Sequence, residues 1–295
     1  FPTRRSSDLG ANIYNTGMKK VLLFANFIML CSSLVSARNF KPSFIKTIEQ
    51  KKIDAAFESF MATLSNEELV SQIFLVNIEG NKDYSAVEST SSLQAPKPLV
   101  PGGCLLFSFN LAPSFKETAS FIDSIASYCS LNSVLPPYIA LDQEGGYVSR
   151  LSELSSRLPS QKTVALRLSP SKAYELYSLQ AKQMKALGIN MNLAPVAEAE
   201  TPLNAAMLLT RSYGKAPASQ VYSASCVRAY EENGIASVLK HFPGNTSTDP
   251  HTGLPEIDCS ENEIESLYIA PFAFILFQKP SARAEECCRL LPLSR

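Results

Sequence analysis

A lysine, two histidines and an aspartate share one short stretch of this chain, at Lys240, His241, Asp249 and His251. His241 and His251 are its two histidines. Imidazole titrates nearer neutrality than any other side chain, so placing both rings in one loop suits proton transfer. Asp249 and His251 stand two residues apart with Pro250 stiffening the backbone between them. At that spacing a carboxylate can orient and polarise an imidazole, the orienting half of triad chemistry. Two other chemistries fit the same residues. One is a capped turn, and the other is a metal site in which His241, Asp249 and His251 form a two-histidine, one-carboxylate triad.

Two further constellations lie upstream. Asp142-Gln143-Glu144-Gly145-Gly146, followed by Arg150, joins two carboxylates and a guanidinium around a glycine pair. The glycines are expected to allow a sharp turn and a ligand's close approach, although a charged loop with a local ion pair fits equally. A dinucleotide reading fails, because G-x-G-x-x-G is absent. Arg211, in Arg211-Ser212-Tyr213-Gly214, offers a planar fork for hydroxyls or a carboxylate, or is an ordinary surface arginine. Asn245-Thr246-Ser247 matches a glycosylation acceptor, a pattern common enough by chance to carry no function.

These residues need elements to hold them. The spacing of Ala173, Leu176, Tyr177, Met184 and Leu187 predicts a helix over residues 169–187, capped by Ser169 or Ser171 and stopped by Gly188. Ile189, Met191 and Leu193 then alternate as a strand ending at Pro195. A second cycle predicts a helix over 218–233, a stop at Gly234 and a strand over 235–239. Residues 138–141, after Pro136-Pro137, and 104–109, after Gly102-Gly103, read as two earlier strands. Alternating strands and helices imply a parallel sheet, either doubly wound or closed as a (β/α)8 barrel. Asn110, the Asp142–Glu144 group, Glu198 and Lys240-His241 each fall just past a strand. Polar groups at the C-terminal ends of four successive strands favour the barrel, since a doubly wound sheet concentrates them at one switch point.

Composition narrows the class. Net charge is zero and no basic stripe is visible, which argues against nucleic-acid binding. Seven cysteines occur without a C-x-x-C pair, so neither a zinc ribbon nor a disulfide framework is supported. Cys104, Cys129 and Cys226 sit in apolar contexts and read as buried free thiols. With no tryptophan in the chain, any stacking surface must come from Tyr or Phe. Residues 1–17 are polar and aperiodic and read as a non-native leader. From Met18 follow Lys19-Lys20, an apolar run over 21–30 and Val35-Ser36-Ala37, the pattern of a cleaved export signal over 18–37. The run falls short of the ~20 residues of a membrane span, and Leu30 before Cys31 is too large for a lipid-attachment site. Export to the periplasm or the outside is the expectation.

Taken together, GGCLLFSFN (102–110), ALDQEGGYVSRL (140–151), GINMNLAPV (188–196), RSYG (211–214) and KHFPGNTSTDPHTGLP (240–255) resemble glycoside hydrolase family 3, in its β-N-acetylglucosaminidase branch. The resemblance covers about residues 70–275 and implies an incomplete TIM-type barrel over 38–280, with 281–295 an unrelated or frameshifted tail. It implies an enzyme that removes terminal β-linked N-acetylhexosamine from glycans or cell-wall fragments without metal or cofactor. By motif match Asp142, Arg150, Arg211, Lys240 and His241 would hold the sugar, and Asp249 with His251 would be the general acid/base. The sequence departs from the family in three places. Asn245 stands where another histidine is usual, in a shortened loop, and Tyr147 stands where arginine is usual. The nucleophile, an aspartate after a later strand, is expected beyond Gln278, so this chain by itself is expected to be inactive. A non-catalytic sugar-binding relative and a β-glucosidase of the same family are the alternatives.

Overall fold

A computed structural model of the chain describes residues 48–84, 100–133 and 135–277. The leader, the export signal and the tail expected from sequence lie outside these residues. Helices α1 (Ile48–Met61) and α2 (Asn66–Ser71) precede strand β1 (Leu75–Asn77). Then come β2 (Gly103–Leu106), α3 (Phe115–Asn132), β3 (Tyr138–Leu141), and a hairpin of β4 (Gln143–Gly145) and β5 (Val148–Ser149). Helices α4 (Gln161–Arg167) and α5 (Pro170–Leu187) lead to β6 (Met191–Asn192). The short α6 (Ala205–Leu208) and the long α7 (Ala218–Glu232) lead to β7 (Ala236–Ser237), and a helical run from Glu261 ends in α8 (Ala270–Phe277). Among the described residues no helix is long and apolar enough to cross a membrane.

The two long helices follow their signals closely. Ser169 caps α5 by accepting from the Lys172 N–H, and Pro170 opens it where no backbone donor is needed. Gly188 ends it at φ 90°, a left-handed conformation that glycine adopts without a Cβ penalty. Helix α5 buries Ala173, Tyr177, Met184 and Leu187 as their spacing predicts, together with Ala181, while Leu176 is only partly buried. Helix α7 packs beside α5 and closes at Asn233 and Gly234. Strand β1 was not legible, because three residues are too few to show a period. The β4–β5 hairpin was hidden in what reads as a polar loop.

Strands β1, β2, β3, β6 and β7 form one parallel sheet in that order. A doubly wound sheet reverses direction at a switch point, whereas here each strand lies beside the previous one, the progression of a barrel. Among the described residues β1 and β7 are the two edges, so the ring is open between them. Register decides what stands at the C-terminal mouth. Leu106, Leu141, Asn192 and Ser237 pair in one row across the sheet. The next residues, including Phe107 and Asp142, therefore emerge at the same level. Past β6 and β7 a parallel bridge joins Val196 to Lys240, with the Lys240 N–H donating to Pro195 O and the Ala197 N–H to Lys240 O.

The core lies between the sheet and its helices. Cys104, Leu106, Ile139 and Leu141 meet Phe121, Ile125, Cys129, Tyr177 and Met184. Cys104, Cys129 and Cys226 are buried free thiols. Burial pushes Cys129 up to about 11 and Cys104 up to about 12, so both stay protonated and behave as small apolar residues.

Candidate active site

The mouth of the sheet gathers charges from four loops. Glu144, at the centre of β4, has a fully buried carboxylate that receives two hydrogen bonds from Arg211, from Nε and Nη2, each 2.8 Å. This fork-to-carboxylate geometry is the strong form of an ion pair. Lys240 Nζ bridges the two upstream acids, 2.6 Å from Asp142 Oδ1 and 2.7 Å from Glu144 Oε1. Arg150 approaches the other Asp142 oxygen at 3.7 Å. Burial disfavours the charged form of Glu144, but hydrogen bonds from Arg211 and the charge of Lys240 outweigh it and hold the carboxyl below its ordinary range. Arg211 is correspondingly raised, chiefly by its hydrogen bonds to Glu144.

His241 continues the network on its far side. Its Nε2 lies 3.2 Å from Arg211 Nη2 and its Nδ1 lies 2.7 Å from Glu198 Oε1. The buried Glu198 also accepts from the backbone N–H of His241 and from both the backbone and the side-chain amide of Asn245. Asn245 is itself buried. It is a strut between Glu198 and the loop after β7, which leaves its amide occupied.

Local sequence explains why these groups point together. Ser212 is buried and donates to Glu198 O at 2.7 Å, tying the Arg211 segment to the loop after β6. Tyr213 is buried on the other side, its hydroxyl donating to that of Tyr177 at 2.7 Å. Arg211 is thus the one residue of its motif free to face the mouth. Gln143 anchors the hairpin from within: Nε2 donates to Ser149 Oγ, and Oε1 accepts from the Leu151 N–H. Gly145 and Gly146 take positive φ, as a sharp turn requires. The close approach expected there is made by the chain itself. A Cβ on Gly145 would lie 2.2 Å from Pro159 O, and one on Gly146 2.7 Å from the Ser160 Cβ. The glycine pair therefore packs against a neighbouring loop on the side where a Cβ would stand, while Gly146 itself is exposed.

Asp249 and His251 are placed differently. His251 Nδ1 lies 2.7 Å from Asp249 Oδ1, which also accepts from the His251 backbone N–H at 2.9 Å. The pairing expected from sequence is formed, and these bonds hold the Asp249 carboxyl below its usual range, the backbone bond most. The His251 side chain is 86% exposed, however, and among the described residues no ion pair or hydrogen bond joins it to the cluster. His241 is separated from it as well. No group of three histidines, cysteines or acids stands in metal-ligating proximity among the described residues, so His241, Asp249 and His251 do not come together as a triad.

With this geometry in view, comparison with known proteins identifies the lineage. The family model described as the glycosyl hydrolase family 3 N terminal domain matches residues 67–282. The chain belongs to glycosyl hydrolase family 3. Beta-hexosaminidase A of Pseudoalteromonas piscicida is 32% identical over 187 residues, covering 61% of this chain and 31% of that protein. Beta-hexosaminidase LpqI of Mycobacterium tuberculosis is 28% identical, covering 65% of this chain and 47% of its own length. A solved family 3 β-N-acetylglucosaminidase from a Paenibacillus species is 28% identical with a TM-score of 0.61, covering 72% of this chain and 40% of that one. The chain thus spans between about a third and a half of the length of these relatives. Its five sequential parallel strands follow the family's TIM-type α/β barrel plan.

Asp142, Arg150, Arg211, Lys240 and His241 all reach this cluster. Glu144, Glu198 and Asn245 also belong to it, and none of the three was singled out as a site residue from sequence. Glu198 had a signal, as an acid just past a strand. Glu144 had one too, as the second carboxylate of its motif. Asn245 was visible only as a departure from the family pattern. Asn110, counted among the polar groups of the mouth, has a structural task instead. It is buried, accepts from the Phe107 N–H and donates to Ile78 O and Gly80 O.

Proposed function

We propose that the protein hydrolyses terminal β-linked N-acetylhexosamine from glycans or cell-wall fragments, with retention of configuration. The Arg211–Glu144–Lys240–Asp142 network carries this reading. It presents fixed cations and acids at a barrel mouth, the polar surface that sugar hydroxyls require, in a chain whose relatives are named β-hexosaminidases. Arg211 Nη1 takes no part in the network, and a third Lys240 hydrogen remains, so donors are left for hydroxyls. Arg150 and His241 extend the same surface.

In this proposal Asp249 holds His251 through Nδ1 and leaves Nε2 facing outward. The imidazolium gives its Nε2 proton to the glycosidic oxygen as the C1–O bond breaks and a carboxylate bonds to C1. The same imidazole then takes a proton from the water that attacks C1 and displaces the carboxylate. The family resemblance assigns that carboxylate to an aspartate after a later strand. The exposure of His251 favours a second reading, a sugar-binding relative that does not turn over. Release of a chromogenic leaving group from an aryl β-N-acetylglucosaminide, by protein carrying the whole family 3 unit, separates the two. Turnover that survives a chelator and exceeds that on the aryl β-glucoside is expected, and binding without release overturns the hydrolase. Residues 18–37 have the pattern of an export signal, which a mature N-terminus near Arg38 would verify by mass.

A further inference from the structure

Two phenylalanines beside the cluster have no part in the network above. Phe107 and Phe109 follow β2, and their rings lie parallel, 6° apart in tilt with centroids 5.7 Å apart. Phe107 follows Leu106, whose register partner is Leu141, so it emerges at the same level as Asp142. Arg150 joins the two sites, with its guanidinium 5.5 Å from the Phe107 centroid and 3.7 Å from Asp142 Oδ2. That contact is longer than a hydrogen bond and the Arg150 side chain is 27% exposed, so among the described residues its Nη hydrogens remain for a further acceptor.

The aromatic pair is held in place and yet open. Its turn is pinned by the three hydrogen bonds of the fully buried Asn110. Phe109 nevertheless remains 55% exposed. A lone exposed phenylalanine needs no explanation. A parallel pair, fixed by a buried amide at the rim of a polar mouth, is a preorganised apolar face next to hydrogen-bonding groups. That combination fits a pyranose. A β-linked gluco-configured ring carries its axial C–H groups on its two faces and its hydroxyls around the edge.

We propose that Phe107 and Phe109, with Arg150, form the subsite for the second sugar ring of a β-linked substrate, adjoining the ring held by Asp142, Lys240 and Arg211. This rests on the hexosaminidase reading, which puts the terminal ring in the charged cluster and its neighbour on the reducing side. Phe109 is then a specificity-determining residue, because it favours chains over single sugars. Titrating the 295-residue chain with N-acetylglucosamine and with the β-1,4-linked disaccharide of N-acetylglucosamine tests it, by NMR or calorimetry. The disaccharide is expected to bind roughly three- to tenfold more tightly than the monosaccharide, the range of one aromatic contact. Phe109→Leu, which keeps the apolar bulk but removes the ring, is expected to abolish that preference and leave the monosaccharide affinity unchanged. Phe109→Tyr is expected to retain it. Both changes fall on an exposed side chain, and circular dichroism verifies that each variant is folded. A disaccharide preference that is absent from the parent chain, or undiminished in Phe109→Leu, overturns the subsite. Equal losses for both sugars also overturn it, since they place Phe109 under the first ring. A parent chain that binds neither sugar overturns the subsite, whereas the hexosaminidase reading stands or falls separately on aryl-glycoside turnover by the whole family 3 unit.

Discussion

The stretch from Lys240 to His251 contains two regions of opposite character. At its start Lys240 and His241 are locked among Asp142, Glu144, Arg211 and Glu198, with hydrogen bonds on nearly every side. At its end the side chains of Asp249 and His251 pair, among the described residues, with each other, and both are exposed. A histidine paired with a carboxylate occurs at both ends, so residue type does not explain the contrast. Lys240 continues a strand pairing through its bridge to Val196, which fixes it at the sheet's mouth. Beyond Asn245 the chain has left the sheet, and residues 247–254 are exposed. A fixed cluster suits binding, and the exposed pair stands outside it.

Four measurements press on this contrast. The largest effect is expected from Glu144→Gln, which leaves Arg211 and Lys240 facing a neutral amide. Breaking a buried pair in this way costs about 3–5 kcal/mol, read as a drop in the urea midpoint, and a loss below about 1 kcal/mol would show that the cluster is not a structural unit. Glu198→Ala removes the acceptor of His241 and Asn245 together. About 1.5–3 kcal/mol is expected for bonds to a charged acceptor, with the His241 ring resonances shifting alongside. Should those resonances stay put, Glu198 does not hold the ring.

The third measurement uses pH. Glu144 is held below its ordinary value of 4.5, so the folded state binds its proton less readily than the unfolded chain. Its contribution is therefore complete above about 4.5 and is lost as pH falls through the lower folded value. Stability should decline with acid below pH 4.5, and the decline should be shallower in Glu144→Gln. An equal slope in both proteins would assign acid sensitivity elsewhere. The smallest effect belongs to His251→Ala, which is expected to change stability by no more than about 0.5 kcal/mol, as surface changes do. In that variant the Asp249 carboxyl should move back up toward 3.8, since part of what depresses it is the ring. A large destabilisation there would mean that the exposed pair supports the fold.

Much of the architecture is legible in the sequence. Ser169, the apolar face of α5 and Gly188 set a helix by capping, spacing and backbone freedom, all local properties. Strand β3 falls on residues 138–141 as read from Pro136-Pro137 and the apolar run. The strands of β6 and β7 came out shorter than expected, two residues each. Strand pairing is a long-range property, and the pattern of one strand does not report how far its neighbour follows it. The glycine pair at 145–146 was read as a turn, which it is, but its open side is filled by Pro159 and Ser160, residues no local window connects to it.

The sequence by itself determined which residue types follow each strand and the order in which the strands deliver them, because residue type and periodicity are written along the chain. It also determined the bond between Asp249 and His251, which two residues' separation and a proline suffice to make. Only the tertiary structure decided that Glu144 and Glu198 are the acids around which Arg211, Lys240 and His241 gather, because their partners Arg211 and His241 lie 67 and 43 residues away. Only the tertiary structure decided that one histidine is clamped and the other open to solvent. Burial and charge pairing arise where separate strands end side by side, and that meeting is a property of the sheet.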